Sequence, residues 1–164
     1  MKISNVKYFC TVNGEGVRTA VFVSGCNQHC KGCFNPISWD FNYGLDFDEK
    51  LKEKIFTSVE PEYINGISVL GGEPLDAKNQ EGVLELLKDF RKKFGNSKTI
   101  WVWTGYVYGK NLPHTEFTDE LLKLVDVLVD GPFVRELKDL TLKFRGSSNQ
   151  RILHNVNGNL VEVD

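Results

Sequence analysis

The chain has 164 residues, 41% of them hydrophobic and 12% aromatic, and carries a net charge of −2. That size predicts a single domain over residues 1–164, and since a complete eight-stranded barrel typically needs about 250 residues, any barrel here must be partial. The composition argues against nucleic acid as a partner, because cations and acids are interspersed without a basic stripe. It argues against a membrane too, because no segment approaches the roughly 18 apolar residues of a spanning helix.

The first residues lack the apolar core of a secretory signal, and the cysteines are too closely spaced to staple a domain of this size, so a reducing cytoplasm is the expected location. Residues 5–12 predict an edge-like strand. Asn13-Gly14-Glu15-Gly16 follows as a two-glycine turn, suited either to a hairpin or to close approach of backbone to a ligand. Residues 19–25 read as a buried strand that ends in Gly25 and feeds Cys26-Asn27-Gln28-His29-Cys30-Lys31-Gly32-Cys33.

Three sulfurs in eight residues favour a thiophilic metal. Structural zinc usually draws four ligands as two separated pairs, and no second pair exists here because Cys10 stands alone. His29 sits between Cys26 and Cys30, a cramped place for a fourth tetrahedral ligand. An ordinary four-iron cluster uses four cysteines, so three would leave one iron without a protein ligand. An open metal position is what a catalytic site needs. The local reading is therefore a [4Fe-4S] cluster, bound by Cys26, Cys30 and Cys33, that takes another ligand at its free iron.

Asn35-Pro36 marks a break, and Trp39, Phe41 and Tyr43 read as aromatics packing an irregular loop on the domain. Asp46 or Asp48 predicts the cap of a helix through about residue 58, with Phe47, Leu51 and Ile55 on one face. Residues 64–70 predict a second core strand ending in Gly71-Gly72-Glu73-Pro74. The clearest helix spans 76–94, with a stripe of Val83, Leu87, Phe90 and Phe94, cationic last turns and Gly95 as C-cap.

Residues 99–103 predict a third strand, with Thr104-Gly105 at its carboxyl end. A short helix to Leu124, capped by Thr118, leads to a fourth strand over 125–129 and to Asp130-Gly131. Residues 145–151 are polar and contain two arginines; they read as a solvated loop, or as a contact to the carboxylate of a ligand or to a protein partner. Asn157-Gly158 predicts a C-terminal hairpin. Alternating strands and helices predict a mainly parallel sheet whose ligands bind beyond the carboxyl ends of its strands. The cysteine loop, Gly71-Gly72-Glu73, Thr104-Gly105 and Asp130-Gly131 all fall there.

Cysteines separated by three and then two residues form the motif of the radical S-adenosylmethionine (SAM) enzymes. The chain resembles the short activating enzymes of anaerobic (class III) ribonucleotide reductase in particular. The resemblance is carried by Asn13-Gly14-Glu15-Gly16, the cysteine loop with Gly32, and Gly71-Gly72-Glu73-Pro74. Further on it is carried by Trp103-Thr104-Gly105-Tyr106, Asp130-Gly131-Pro132-Phe133 and Arg145-Gly146-Ser147-Ser148-Asn149-Gln150-Arg151. Many radical-SAM enzymes carry an aromatic residue before the third cysteine; here Gly32 stands there and Phe34 follows.

The resemblance implies a partial (β/α) barrel in which Cys26, Cys30 and Cys33 bind a [4Fe-4S] cluster. It implies that Gly32, Cys33, Phe34, Gly71, Gly72, Glu73, Thr104 and Gly105 surround SAM, the Gly71–Glu73 turn meeting its amino group. The implied reaction is reductive cleavage of SAM to a 5'-deoxyadenosyl radical, which abstracts a glycine Cα hydrogen from the large reductase subunit. The implied electron donor is a low-potential protein such as flavodoxin. The alternatives are a small radical-SAM synthase of the deazaguanine pathway, a zinc-stabilised binding module without catalysis, and a simple electron carrier. His29, His114 and His154 are scattered and read as surface or structural residues, and Cys10 as a buried small hydrophobe.

Overall fold

A computed structural model of the chain describes residues 1–33 and 35–162. Among them run strands β1 Lys2–Cys10, β2 Arg18–Val23, β3 Leu45–Asp46, β4 Gly66–Gly71, β5 Thr99–Trp103, β6 Val127–Asp130, β7 Arg151–Val156 and β8 Asn159–Glu162. The α-helices are α1 Glu49–Val59, α2 Gln80–Phe94 and α3 Thr118–Leu124. All the strands join one sheet in the order β3-β1-β2-β4-β5-β6-β7-β8.

The architecture is α/β, but the sheet is mixed rather than mainly parallel. Strands β2, β4, β5 and β6 run parallel, with α1, α2 and α3 in the connections between them. On one side β1 pairs antiparallel with both β2 and β3, and on the other β7 pairs antiparallel with both β6 and β8. Connection chemistry decides this. Parallel neighbours need a long crossover, usually a helix, whereas a tight turn yields an antiparallel pair. Asn157 and Gly158 supply such a turn between β7 and β8, with φ of 54° and 90°. The 131–150 segment before β7 contains no α-helix and does not cross back along the sheet.

Several local expectations shift. Strand β1 starts earlier than residue 5 and is not the edge, because the two-residue β3, too short to leave a sequence pattern, covers it. Asp48, not Asp46, caps α1, its Oδ1 accepting the Leu51 N–H at 2.8 Å. Helix α2 begins at Gln80 rather than 76, because 76–79 forms a turn in which the Asp76 carbonyl accepts from Asn79 and Gln80. Thr118 lies inside α3, whose N-cap is Phe117; its hydroxyl accepts from the Thr115 N–H and donates to Gln80 Oε1.

The helices and one sheet face enclose the main core. Val83, Leu87 and Phe90 of α2 are fully buried there with Val21, Val69, Val102 and Leu128 of the parallel strands. Truncating one such side chain to alanine costs about 2–5 kcal/mol. Strand periodicity sends alternate residues to the opposite face. Thr19 faces α1, its hydroxyl 2.7 Å from that of Ser58, so Arg18, Ala20 and Phe22 face away, in register with Ser68, Leu70, Trp101, Trp103, Val127 and Val129. This second face carries the candidate site.

Candidate metal and cofactor site

A cavity of about 410 Å³ opens at the carboxyl ends of β2, β4, β5 and β6. Cys26, Cys30 and Cys33 line it from the loop after β2, Gly71, Gly72 and Glu73 from the turn after β4, Thr104 and Gly105 from the end of β5, and Gly131 from the end of β6. Leu70 and Trp103 form its floor. Phe133, Leu142, Phe144 and Arg145 of the 131–150 segment form a wall, and Val12 and Asn13 reach it from the turn after β1.

The cysteine loop and the β4 turn are built on each other. The Gly25 N–H donates to Ser38 O at 2.7 Å, and the Glu73 N–H donates to Gly25 O at 2.7 Å. Gly71 has φ of 111°, which side chains rarely adopt, and a Cβ at Gly72 would stand 2.6 Å from Gly25 O and 2.7 Å from Ser38 O. Only glycine lets these backbones come so close. Asn79 locks the junction: its side-chain amide donates to Ser24 O at 3.1 Å and Glu73 O at 3.0 Å, and also reaches Gly25 O at 3.4 Å. Beside it, Asn27 of the cysteine loop donates to Asp76 Oδ2 at 2.8 Å.

Glu73 ties the second and third strand ends together. Its carboxylate accepts from the Gly105 N–H at 2.6 Å, the Thr104 hydroxyl at 2.7 Å and the Leu75 N–H at 2.9 Å. Burial pushes its pKa up to about 7, against the opposing pull of these donors. Its oxygens are engaged with protein, so a ligand ammonium here would meet carbonyl oxygens of the turn in addition to the field of the carboxylate. Burial also raises the Cys26 thiol above its ordinary value, and raises Tyr106 to about 12 with Asp76, Glu73 and Cys26 adding to the effect. This end of the cavity is rich in groups that become negative.

Arg145 is the one Lys, Arg or His side chain among the described residues lining the cavity. Its Nε and the Trp39 indole N–H are buried donors with no partner among the described residues. Trp39 stacks on the His29 ring, with centroids 4.2 Å apart, and its carbonyl accepts from the Cys26 N–H at 3.1 Å.

Cys26, Cys30, Cys33, Gly71, Gly72, Glu73, Thr104 and Gly105 thus surround one space. Gly32 does not line it; a Cβ there would approach Arg135 at 3.3 Å and Phe133 at 3.7 Å. Phe34 lies outside the described residues. Cys10 is buried away from the cavity, its sulfur accepting from Asn13 Nδ2. Asp130 serves the fold, paired with Arg151 and accepting the Tyr108 N–H. Sequence reasoning missed Asn79, Asp76 and Asn27, whose types suit any cap or turn, and left Arg145 undecided.

The donor set fits an iron–sulfur cluster: all the cysteines are free thiols, and three of them line one cavity. Among the described residues, no three His, Cys, Asp or Glu side chains are gathered as for a single ion. A polynuclear cluster does not require that convergence, because each thiolate meets a different iron. A second cavity, at the amino ends of the strands, has both of its Lys and Arg side chains engaged: Lys98 donates to Pro61 O and Ile64 O, and Arg18 to Ser68 Oγ and several carbonyls.

Fold and site together define an iron–sulfur protein of α/β architecture, and residues 12–153 match the family model described as a 4Fe-4S single cluster domain. Proteins named anaerobic ribonucleoside-triphosphate reductase-activating protein are similar along nearly the whole chain. The one from Pasteurella multocida is 40% identical over 151 residues, covering 90% of this chain and 94% of its own. That of Escherichia coli K12 is 41% identical over 146 residues, covering 87% and 92%. That of bacteriophage T4 is 36% identical over 149 residues, covering 90% of each. The chain belongs to the family of anaerobic ribonucleoside-triphosphate reductase-activating proteins, which are radical-SAM activating enzymes. Among the described residues, no helix is long and apolar enough to cross a membrane.

Proposed function

We propose that this protein cleaves SAM reductively at a [4Fe-4S] cluster and activates the large subunit of an anaerobic ribonucleotide reductase by removing a glycine Cα hydrogen. The observation that carries the reading is the convergence of a three-cysteine loop and three strand-end turns on one cavity. When bound, the cluster and SAM supply one-electron cleavage of the sulfonium and the radical that takes the hydrogen.

The chain's own residues bind and orient. Cys26, Cys30 and Cys33 hold the cluster as thiolates and leave one iron free. Carbonyls of the Gly71–Glu73 turn meet the amino group of SAM, and the raised Glu73 acid stands behind them. Thr104 and Gly105, fixed by Glu73, border the nucleoside. Leu70, Trp103, Phe133 and Phe144 offer apolar walls that exclude water and suit an adenine ring. Gly32 acts indirectly, by letting the cysteine loop lie against Phe133 and Arg135.

We read residues 1–164 as one domain and the open sheet, with its helices on one face, as a partial (β/α) barrel of radical-SAM type. An incomplete barrel leaves a side through which a loop of a folded reductase could enter. We place the protein in the cytoplasm, with a low-potential donor such as flavodoxin.

Anaerobic reconstitution with iron and sulfide, followed by dithionite and SAM, tests this. The reading expects 5'-deoxyadenosine, and a glycyl-radical EPR signal when the reductase is added. A protein that holds zinc alone, or that passes electrons without consuming SAM, would contradict it.

A further inference from the structure

Arg151, at the start of β7, is neutralised by Asp130, and Arg91 of α2 by Asp126. Arg145 has no such carboxylate among the described residues, although it is the cation lining a cavity otherwise bordered by Glu73 and three thiols. Its side chain is nonetheless held in place. Nη1 donates to Gln150 O at 2.9 Å. The turn is closed by Gln150 Oε1, which accepts from the Gly146 N–H at 2.8 Å and the Ser147 N–H at 3.1 Å. Gln150 Nε2 and Asn149 Nδ2 then pin it to Gly131 O and Pro132 O, just past the end of β6.

A buried donor left unpaired is destabilising. A guanidinium fixed in this way, with its Nε unpaired, is prepared for a planar anion that can take two parallel hydrogen bonds. We propose that Arg145 binds the carboxylate of the methionine moiety of SAM, and that the 145–150 turn exists to hold it there. The inference rests on the reading of the cavity as a SAM site. Ammonium and carboxylate of the same ligand then meet opposite charges, Glu73 with its turn on one side and Arg145 on the other. A guanidinium used to grip the reductase instead would leave SAM binding untouched.

The test is binding of SAM and of 5'-methylthioadenosine, which lacks the amino-acid moiety, to reconstituted wild type, Arg145→Gln and Arg145→Lys. Iron, sulfide and the visible spectrum are measured on each. Hydrogen bonds to charged groups contribute about 1.5–3 kcal/mol, so Arg145→Gln is expected to weaken SAM on the order of ten- to a hundredfold. Methylthioadenosine affinity and cluster content should stay unchanged. Lysine, which keeps the charge without the fork, should recover part of the loss. Should Arg145→Gln not take up the cluster, the lysine variant decides alone, with weakened SAM and unchanged methylthioadenosine expected. Wild-type SAM affinity in both variants, or equal loss of both ligands, overturns the assignment. Failure of the wild type to bind either ligand would instead sink the SAM reading itself.

Discussion

The side-chain amide of Asn79 stands 3.0 Å from the carbonyl oxygen of Glu73, while the same nitrogen lies 3.1 Å from Ser24 O at the root of the cysteine loop. One buried residue on the approach to α2 therefore fixes the distance between the sulfurs and the turn after β4. Replacing it with alanine strands buried carbonyls, which costs about 1–3 kcal/mol. Urea unfolding of Asn79→Ala should show that loss, and amide exchange should quicken in the cysteine loop. Exchange unchanged from wild type would mean that the loop is held by other contacts.

Glu73 predicts a pH dependence. Its pKa rises from 4.5 unfolded to about 7 folded because burial disfavours the charge. The folded protein therefore keeps a proton that the unfolded chain releases. The associated stability is complete below pH 4.5 and is lost as pH rises through about 7. Thermal unfolding of the apo protein should weaken across that window. Glu73→Gln should flatten the slope while lowering stability by about 1–3 kcal/mol, since an amide cannot accept from all three donors. An unaltered slope in the variant would assign the dependence elsewhere.

Gly72 and Gly95 separate steric need from backbone conformation. A methyl at Gly72 would meet two backbone oxygens under 3.0 Å away, which no rotamer change relieves. At Gly95, with φ of 58°, nothing lies within 4 Å. Gly72→Ala is expected to lose about 1–3 kcal/mol by overpacking and also to disturb the cysteine loop, read as poorer uptake of iron and sulfide. Gly95→Ala should cost about 1–3 kcal/mol, because φ of 58° with ψ of −131° is a conformation side chains disfavour, with normal iron uptake. Equal uptake in both variants would contradict the role given to Gly72.

Arg18 is buried at the start of β2 and joins the amino ends of three strands. It donates to Ser68 Oγ at 2.8 Å, Ile67 O at 2.9 Å and Thr99 O at 2.8 Å, and Ser68 in turn donates to Asn13 O at 2.6 Å. Removing the guanidinium exposes several buried acceptors at once. Arg18→Met should destabilise by about 3 kcal/mol or more and loosen the turn that carries Asn13. Stability within about 0.5 kcal/mol of wild type, the range of ordinary surface changes, would refute the clasp.

The legible parts of this sequence were those with a local cause. The α2 stripe of Val83, Leu87 and Phe90 follows from periodicity, the final turn from Asn157-Gly158, and the cysteine loop from spacing. Strand ends could be placed because glycines follow apolar runs, and they do meet at one cavity. Long-range choices were not legible. Nothing local says that β7 returns antiparallel to β6, or that Leu45–Asp46 adds to the edge of β1. Asn79 looks like any residue before a helix until its amide is seen to bridge two loops. Arg145 looks solvated until its neighbours are known to leave Nε buried and unpaired.

In the proposed site three cysteines leave one iron open to SAM, and the EPR spectrum of the reduced, reconstituted protein reports on that iron. Adding SAM should change the spectrum of the cluster, because a ligand enters at a metal that no side chain holds. Cys26→Ala, Cys30→Ala and Cys33→Ala should give no such cluster, and Cys10→Ala should behave as wild type. A wild-type spectrum indifferent to saturating SAM would contradict the account, and so would an intact SAM-responsive cluster in any of the three loop variants.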